Sequence, residues 1–389
     1  MEIIEYNDKI SIYTFQRKPD ILCSNSFIIK TPETMIVIDP GGCSDQIAAI
    51  TDIIKKNLVE KSYNILIVLT HCHIDHSLQA FQSREFRSIP DNRICIHESG
   101  FNAYCKNDYA VTQADLFSKQ FYDCIPDIKL FADFKDGKSG CINFGNGQSI
   151  EFKYKKYKIP GSQELKCQII KLKEINENFE IYHTPGHSPD SIIIKFDNMI
   201  FLGDILFAGN PLIAGIVGWN YDDYVESIKK LLWIFENQKI EKCFNGHGNS
   251  IDSKTVISAL EKILKDLACK NKSGHKYIFD KKKMEFMFEY AFDTLSELCI
   301  TFTIISGRIA YLSFQLEKLE EFEAANNFWN SEECGKIELL IIEFNSFIEH
   351  YKKGRKFKIE VIHKALNIIQ KLNKLYKTSK HFETAGKVF

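Results

Sequence analysis

The chain lacks several features that identify whole classes of protein. It has 389 residues and 12 cysteines, yet no two cysteines are spaced as C-x-x-C. It contains neither a G-x-x-x-x-G-K-[ST] phosphate-binding loop nor a G-x-G-x-x-G dinucleotide fingerprint. Scattered cysteines without a framework indicate reduced thiols rather than disulfides. These absences argue against a disulfide-stabilised secreted domain and against the common nucleotide-binding folds.

The chain also lacks an excess of charge of either sign, since 50 basic residues nearly balance 51 acidic ones. We therefore expect no nucleic-acid partner and no attraction to an anionic membrane. The first residues, 1–6, lack the basic region and apolar core of a signal peptide, so we expect a cytoplasmic protein. The longest largely apolar run, residues 299–314, is too short for a membrane span and contains Arg308.

What the chain does have is a set of seven candidate metal ligands in its first two thirds. A run with the spacing H-x-H-x-D-H comes first, and a histidine, an aspartate and a histidine follow it at long intervals. The seven residues are His71, His73, Asp75, His76, His187, Asp204 and His247. Neutral imidazoles with a carboxylate to bridge two ions suit Zn, Fe(II) or Mn.

The position of this run also favours a functional site. Residues 64–69 form a short apolar run rich in branched side chains, which predicts a buried strand. The ligands begin at its C-terminal end, where active sites tend to collect. Cys72 lies between two of them and is expected to point away from the metals. Asp39, in a turn after another strand, is either a turn former or an acceptor that orients a metal-bound histidine; we favour the acceptor.

Short strand-like runs alternate with turns and a few helices as far as about residue 250. We predict strands at 10–15, 26–29, 35–38, 191–194 and 199–202, and amphipathic helices at 45–58 and 221–236.

The H-x-H-x-D-H run, followed by His, Asp and His and preceded by Ile-Asp-Pro-Gly at 38–41, resembles the metallo-β-lactamase superfamily over about residues 8–250. The resemblance implies an α+β fold, an αββα sandwich of two similar halves with a dinuclear metal site at one edge of its sheets. By the family pattern, one divalent ion is held by His71, His73 and His187, the other by Asp75, His76 and His247, and Asp204 bridges them. Zinc is the first choice of metal, with iron or manganese as alternatives.

Such a site implies hydrolysis of a small-molecule thioester, lactone, other ester or phosphodiester, because a hydroxide between two divalent ions is a nucleophile at neutral pH. Asp75 is the candidate catalytic residue, both a ligand and a proton carrier for the attacking water. The interval from Asp204 to His247 resembles the glyoxalase II and lactonase type of hydrolase. The alternative is a di-iron oxygen or redox sensor that passes a signal to a partner. The family's flavodiiron branch usually carries Glu where this chain has His73, which argues against the sensor.

Two parts of the chain depart from the family pattern. Within a first domain of residues 1–252, an insertion at about 100–165 is either an appendage with its own small core or a lid over the metals. Its first part, 104–122, is helix-like, and its second, 133–148, is typical of loops or a hairpin. Specificity is expected to come from this insertion, from residues 210–219 and from the C-terminal helices. Trp219 and Tyr221 are candidate pocket aromatics, although packing is the favoured role for both.

The last third predicts an all-α domain. After a linker or helix at 253–282, residues 283–389 are expected to form one long helix and two shorter ones. The long helix carries eleven apolar residues at alternating spacings of four and three, which are Met284, Phe288, Ala291, Leu295, Leu298, Phe302, Ile305, Ile309, Leu312, Leu316 and Leu319. That seam favours a homodimer through these helices. A monomeric three-helix bundle is the alternative.

Overall fold

The computed structural model describes residues 2–16, 23–109, 111–114, 125–206 and 218–271, together with the single residue Leu339. The apolar seam and the two shorter helices predicted for residues 283–389 lie outside the described residues, as do most of residues 210–219. The domain boundaries and the homodimer therefore stay predictions.

The described residues include six helices and fifteen strands, all named here in chain order. The helices are α1 (Ser44–Leu58), α2 (Ile74–Gln82), α3 (Arg84–Arg87), α4 (Glu98–Cys105), α5 (Tyr221–Asn237) and α6 (Ser253–Asn271). The strands are β1 (Glu2–Asn7), β2 (Ile10–Phe15), β3 (Ser26–Lys30), β4 (Thr34–Ile38), β5 (Asn64–Val68), β6 (Asn92–His97), β7 (Ile128–Leu130), β8 (Ser139–Asn143), β9 (Ser149–Tyr157), β10 (Leu165–Leu172), β11 (Glu177–His183), β12 (Ile192–Phe196), β13 (Met199–Phe201), β14 (Lys242–Phe244) and β15 (Ile251–Asp252).

The strands form two mixed sheets, each in simple chain order. The first sheet has seven strands, β1 to β7, and the second has eight, β8 to β15. Strands β4 to β7 pair in parallel, as do β13 and β14, and the remaining pairs are antiparallel. Helices make most of the parallel connections, with α1 between β4 and β5 and α5 between β13 and β14. The carboxyl ends of β4, β5 and β6 therefore meet at one edge of the first sheet.

Apolar side chains fill the space between the two sheets. In β4, Ile36 and Ile38 belong to this core, while Met35 and Val37 alternate with them and are equally buried. Both faces of the strand are covered, because successive side chains point to opposite faces. The outer face is covered by a helical layer, in which Ile50 of α1 is fully buried.

A second helical layer covers the outer face of the second sheet. Ile228 and Leu231 of α5 and Leu260 of α6 pack in one cluster with Ile193 and Ile200 of the sheet. The order of layers is therefore helix, sheet, sheet, helix, and the predicted αββα sandwich is confirmed for the described residues.

Residues 128–165 are part of the sandwich, so an appendage and a lid are both wrong for this half of the insertion, whereas the hairpin predicted near 133–148 is present. β7 extends the first sheet, while β8 and β9 form a hairpin that continues the second. Ile142, Phe144 and Ile150 lie in the core between the sheets. This segment is thus neither an appendage with a core of its own nor a lid, because its apolar side chains face the main core.

The first half of the insertion begins with α4, whereas residues 110 and 115–122 of the helix-like segment predicted at 104–122 lie outside the described residues. α4 starts at Glu98, where Nδ1 of His97 accepts the amide of Ser99 at 3.1 Å. It ends at Cys105. Two residues later, Asn107 has a left-handed φ of 51°, which is incompatible with a continuing helix. Residues 115–124 lie outside the description. Among the described helices, none combines the length and the apolar character needed to cross a bilayer.

Candidate metal centre

The candidate ligands follow the ends of strands at one edge of the two sheets. β5 ends at Val68, β13 at Phe201 and β14 at Phe244. His71, Asp204 and His247 each come three residues after one of these ends. His187 follows the end of β11, and Asp75 and His76 lie in the first turn of α2. Side chains distant in sequence therefore meet because their strands end together.

Backbone hydrogen bonds hold the ligand loops in place. The amide of Ile192 donates to the carbonyl of Thr70 at 2.9 Å, which joins the two sheets beside the site. The amide of Gly246 donates to the carbonyl of Gly203 at 2.8 Å, so the loop before His247 runs along the loop before Asp204.

His71, His73 and His187 form the first ligand group, and one nitrogen of each lies in a nearly equilateral triangle. Nδ1 of His73 is 3.0 Å from Nε2 of His71 and 3.0 Å from Nε2 of His187. The two Nε2 atoms are 3.1 Å apart. The three N···N contacts cannot all be hydrogen bonds, because each N–H donates to one acceptor. A tetrahedral zinc with Zn–N bonds of about 2.0–2.1 Å separates its ligand atoms by roughly 3.3–3.4 Å, and the triangle fits such an ion closely.

The three imidazoles of this group are neutral. Burial lowers the pKa of His73 to about 3, and burial with the neighbouring His73 lowers that of His187 to about 3. Burial likewise holds the pKa of His71 well below its ordinary value. Each imidazole therefore has a lone pair available for a metal ion.

Asp75, His76, Asp204 and His247 form the second ligand group, beside the first. Nε2 of His247 is 3.1 Å from Oδ2 of Asp75, and Nε2 of His76 is 3.3 Å from Oδ1 of Asp204. Nε2 of His76 and Oδ1 of Asp204 are both buried and make no hydrogen bond. Buried polar atoms without a partner cost about 1–3 kcal/mol each, so a nitrogen and an oxygen left in this way fit a divalent cation.

The carboxylate of Asp204 contacts both groups. Its Oδ2 lies 3.7 Å from Nε2 of His187 in the first group and 3.5 Å from Nε2 of His247 in the second. Its side chain is 9% exposed. Gly246 gives it room, because a Cβ there would lie 2.0 Å from Oδ1 of Asp204 and 2.8 Å from Cε1 of His76.

The second group differs from the first in its charge. Burial opposes charge on His76 and His247, yet the nearby carboxylates of Asp204 and Asp75 outweigh burial. They raise the pKa of His76 well above its ordinary value and that of His247 to about 10. Burial would likewise raise the pKa of Asp204, but the two imidazoles hold it well below its usual range. Without a metal, protons on these two imidazoles balance the negative charge of the carboxylates. A divalent cation would take the place of those protons.

Asp39 orients one of the candidate ligands, as predicted. Nδ1 of His76 donates to its Oδ2 at 2.8 Å, which leaves Nε2 of that ring facing the second group. Thr70 also donates to Asp39, from its amide at 2.7 Å and from its hydroxyl at 2.6 Å. Asp39 has a φ of 48°, so it shapes the turn as well.

Cys72 points away from both ligand groups, also as predicted. Its Sγ lies 3.5 Å from Oδ1 of Asp190, which accepts the hydroxyl of Ser188 at 2.7 Å as well. Burial raises the pKa of the Cys72 thiol well above its usual range and that of Asp190 to about 6. Asp190 thus joins the loop of His71 and His73 to the loop of His187.

Three further residues contact the ligand loops and were not predicted from the sequence: Thr70, Gln113 and Asp190. A charged residue three positions after His187 was the available signal for Asp190. Trp219 and Tyr221 pack at the rim of the cluster under α5, in agreement with the packing role.

Histidines and aspartates gathered at one edge of such a sandwich form two groups of candidate ligands for divalent metal ions. A sequence profile of the Metallo-beta-lactamase superfamily matches residues 22–247. The chain belongs to this superfamily, and relatives within it are metallo-hydrolases.

Several known proteins are similar to the chain. The probable metallo-hydrolase YqgX of Bacillus subtilis is 25% identical over 236 residues, which cover 60% of this chain and 88% of that protein. Hydroxyacylglutathione hydrolase 1 of Vibrio vulnificus is 34% identical over 205 residues, 53% of this chain and 55% of that protein. A solved metallo-beta-lactamase from Pontibacter korlensis is 19% identical, covers 69% of this chain and 98% of its own, and has a TM-score of 0.40.

Proposed function

We propose that the chain is a dinuclear metal-dependent hydrolase that acts on a small-molecule thioester, lactone, other ester or phosphodiester. The observation that carries the proposal is the contact of one buried carboxylate, Asp204, with both ligand groups. Two groups that share a carboxylate are suited to a pair of ions a few ångströms apart.

In this proposal, His71, His73 and His187 hold one ion, Asp75, His76 and His247 hold the second, and Asp204 bridges them. Zinc suits the nitrogen-rich first group best, with iron or manganese as alternatives. Such ions lower the pKa of a bound water towards neutrality and polarise the oxygen of the bond to be cleaved.

Asp75 is the residue that we propose to carry the proton of the attacking water. It lies in the first turn of α2, and its side chain is 12% exposed, slightly more than that of Asp204. A carboxylate beside the metal ions can accept the proton of an attacking water and return it to the leaving group.

No side chain is needed as the nucleophile. The thiol of Cys72 is buried, has a raised pKa and faces Asp190. It is therefore a thiol rather than a thiolate, and it points away from the site. Water is the nucleophile that this arrangement favours.

A thioester is the first substrate to test. The support is the 34% identity to a hydroxyacylglutathione hydrolase, a protein whose name describes hydrolysis of an acyl-glutathione.

The test compares wild-type protein with Asp75→Asn, each loaded with zinc and assayed on an acyl-glutathione, a lactone and a phosphodiester. We expect the wild type to turn over at least one of them and a chelator to abolish that turnover. We expect Asp75→Asn to be slower by about 10²–10⁴-fold, the usual contribution of a positioned acid or base. Near-wild-type turnover by a fully metallated Asp75→Asn protein would reject the role of Asp75. Turnover that survives chelation would reject the metal-dependent mechanism.

A further inference from the structure

A short segment after α4 packs against the loop that carries His71 and His73. Three consecutive residues of this segment, 111–113, contact three consecutive residues of the loop, 72–74. The carbonyl of Thr112 accepts the amide of Ile74 at 3.1 Å, and the carbonyl of Val111 lies 3.8 Å from Sγ of Cys72. The side chain of Gln113 completes the set, with its Nε2 3.3 Å from Nε2 of His73.

The segment is anchored to α4 through Asp108. The amide of Asp108 donates to the carbonyl of Ala103 in the helix at 2.9 Å. Asp108 in turn accepts the amide of Val111 on its side chain at 3.1 Å and the amide of Thr112 on its carbonyl at 3.1 Å. Thr112 is buried. The turn that carries Gln113 is therefore held to α4 by hydrogen bonds, and it places the Gln113 side chain beside His73.

The backbone of Gln113 is also unusual. Its φ of 58° lies in the left-handed region, which is disfavoured for a residue with a Cβ. Such conformations persist where the surrounding structure demands them. Here the left-handed turn aims the amide of Gln113 at the outer nitrogen of His73.

The two nitrogens of His73 face different groups. Nδ1 is the atom in the three-nitrogen triangle, and Nε2 faces Gln113. A neutral imidazole that binds a metal through Nδ1 carries its proton on Nε2 and donates from there. The partner of that N–H must be an acceptor. The nitrogen and oxygen of a glutamine amide are interchanged by a 180° rotation about the Cγ–Cδ bond. That rotation places the amide oxygen of Gln113 beside the Nε2–H of His73, where it can accept the hydrogen bond.

We propose that Gln113 is a positioning residue that accepts the Nε2–H of His73 and so keeps Nδ1 unprotonated and directed at the same point as His71 and His187. The proposal rests on the ligand set of the proposed function and adds a residue of the insertion to it.

The experiment measures Co²⁺ affinity of the full chain from the visible absorption of the bound ion in competition with a chelator. Gln113→Met keeps the length of the side chain and removes the acceptor. We expect its affinity to fall about 10–100-fold, the usual effect of losing the partner of a ligating histidine. Gln113→Glu keeps an acceptor and is expected to stay within about threefold of wild type.

The matched control is Thr112→Val. It removes the hydrogen bond from the Thr112 hydroxyl to the carbonyl of Asp108, 2.9 Å long, and leaves the Gln113 side chain in place. We expect an unchanged Co²⁺ spectrum. A second readout is the imidazole ¹⁵N spectrum of the zinc-loaded wild type, in which His73 should carry its proton on Nε2.

Wild-type affinity in Gln113→Met would overturn the inference and leave the proposed ligand set intact. Equal losses in Gln113→Met, Gln113→Glu and Thr112→Val would also overturn it, because the turn alone would then matter. A wild-type protein that binds no Co²⁺ would overturn both the inference and the proposed metal site.

Discussion

Gly246 lies where the site has no room for a Cβ. The carboxylate of Asp204 and the ring of His76 already occupy the position that a Cβ would take. We expect Gly246→Ala to displace Asp204 and to lower the metal content of the purified protein, with a loss of stability of about 1–3 kcal/mol from overpacking. Elemental analysis and thermal unfolding measure the two effects.

Gly145→Ala is the control, because its added Cβ would meet only Oδ1 of Asp91, at 3.1 Å. Its metal content is expected to equal that of the wild type. Full metal content in Gly246→Ala would show that the carboxylate of Asp204 is not held where the structure has it.

At the residue scale, spacing along the chain singles out residues that the structure brings together, but not the residues that contact their loops. His71, His73 and His76 stand in a short run whose spacing is rare by chance, and the structure brings the three rings together. Gln113 and Asp190 belong to no such run. Asp190 lies three residues after His187, so its position in the sequence is its only signal, whereas Gln113 reaches His73 only through the fold.

At the scale of elements, strands were predictable where both faces are covered. β4 and β5 read as continuous branched apolar runs because the other sheet lies on one face and helices on the other. β9 was missed because it alternates buried residues, such as Ile150 and Tyr154, with exposed charged ones. As the strand next to the edge strand β8, it resembles a polar loop in composition.

The β8–β9 hairpin offers a test of whether the insertion belongs to the main core. Ile142 of β8 is 1% exposed and lies between the sheets. We expect Ile142→Ala to lower the free energy of unfolding by about 2–5 kcal/mol, as for other large-to-small core substitutions. Urea denaturation measures it.

Cys141→Ala, at the neighbouring exposed position, is the matched control, and its effect should stay within about 0.5 kcal/mol. An equally small effect of Ile142→Ala would mean that the hairpin is an appendage.

At the scale of the whole molecule, the long apolar seam predicted for residues 284–319 gives a prediction about assembly. A seam of this length is seldom satisfied within one chain, so we expect a homodimer. Light scattering at micromolar concentration should give twice the monomer mass of 45.0 kDa. A chain lacking residues 283–389 should have the mass of one truncated chain and still bind metal. A full-length mass near 45.0 kDa would mean that the seam is buried internally.

We propose that seven residues from four separate parts of the chain, the run 71–76 and three single residues further along, form one site for two divalent ions. Elemental analysis with native mass spectrometry tests it most directly, on protein expressed without added metal and then supplied with zinc. We expect two ions per chain in the wild type. We expect the loss of at least one ion in Asp204→Ala, and full occupancy in Asp222→Asn, a substitution at an exposed position of α5. A wild-type chain that holds no metal even in millimolar zinc would contradict the proposed site for two ions.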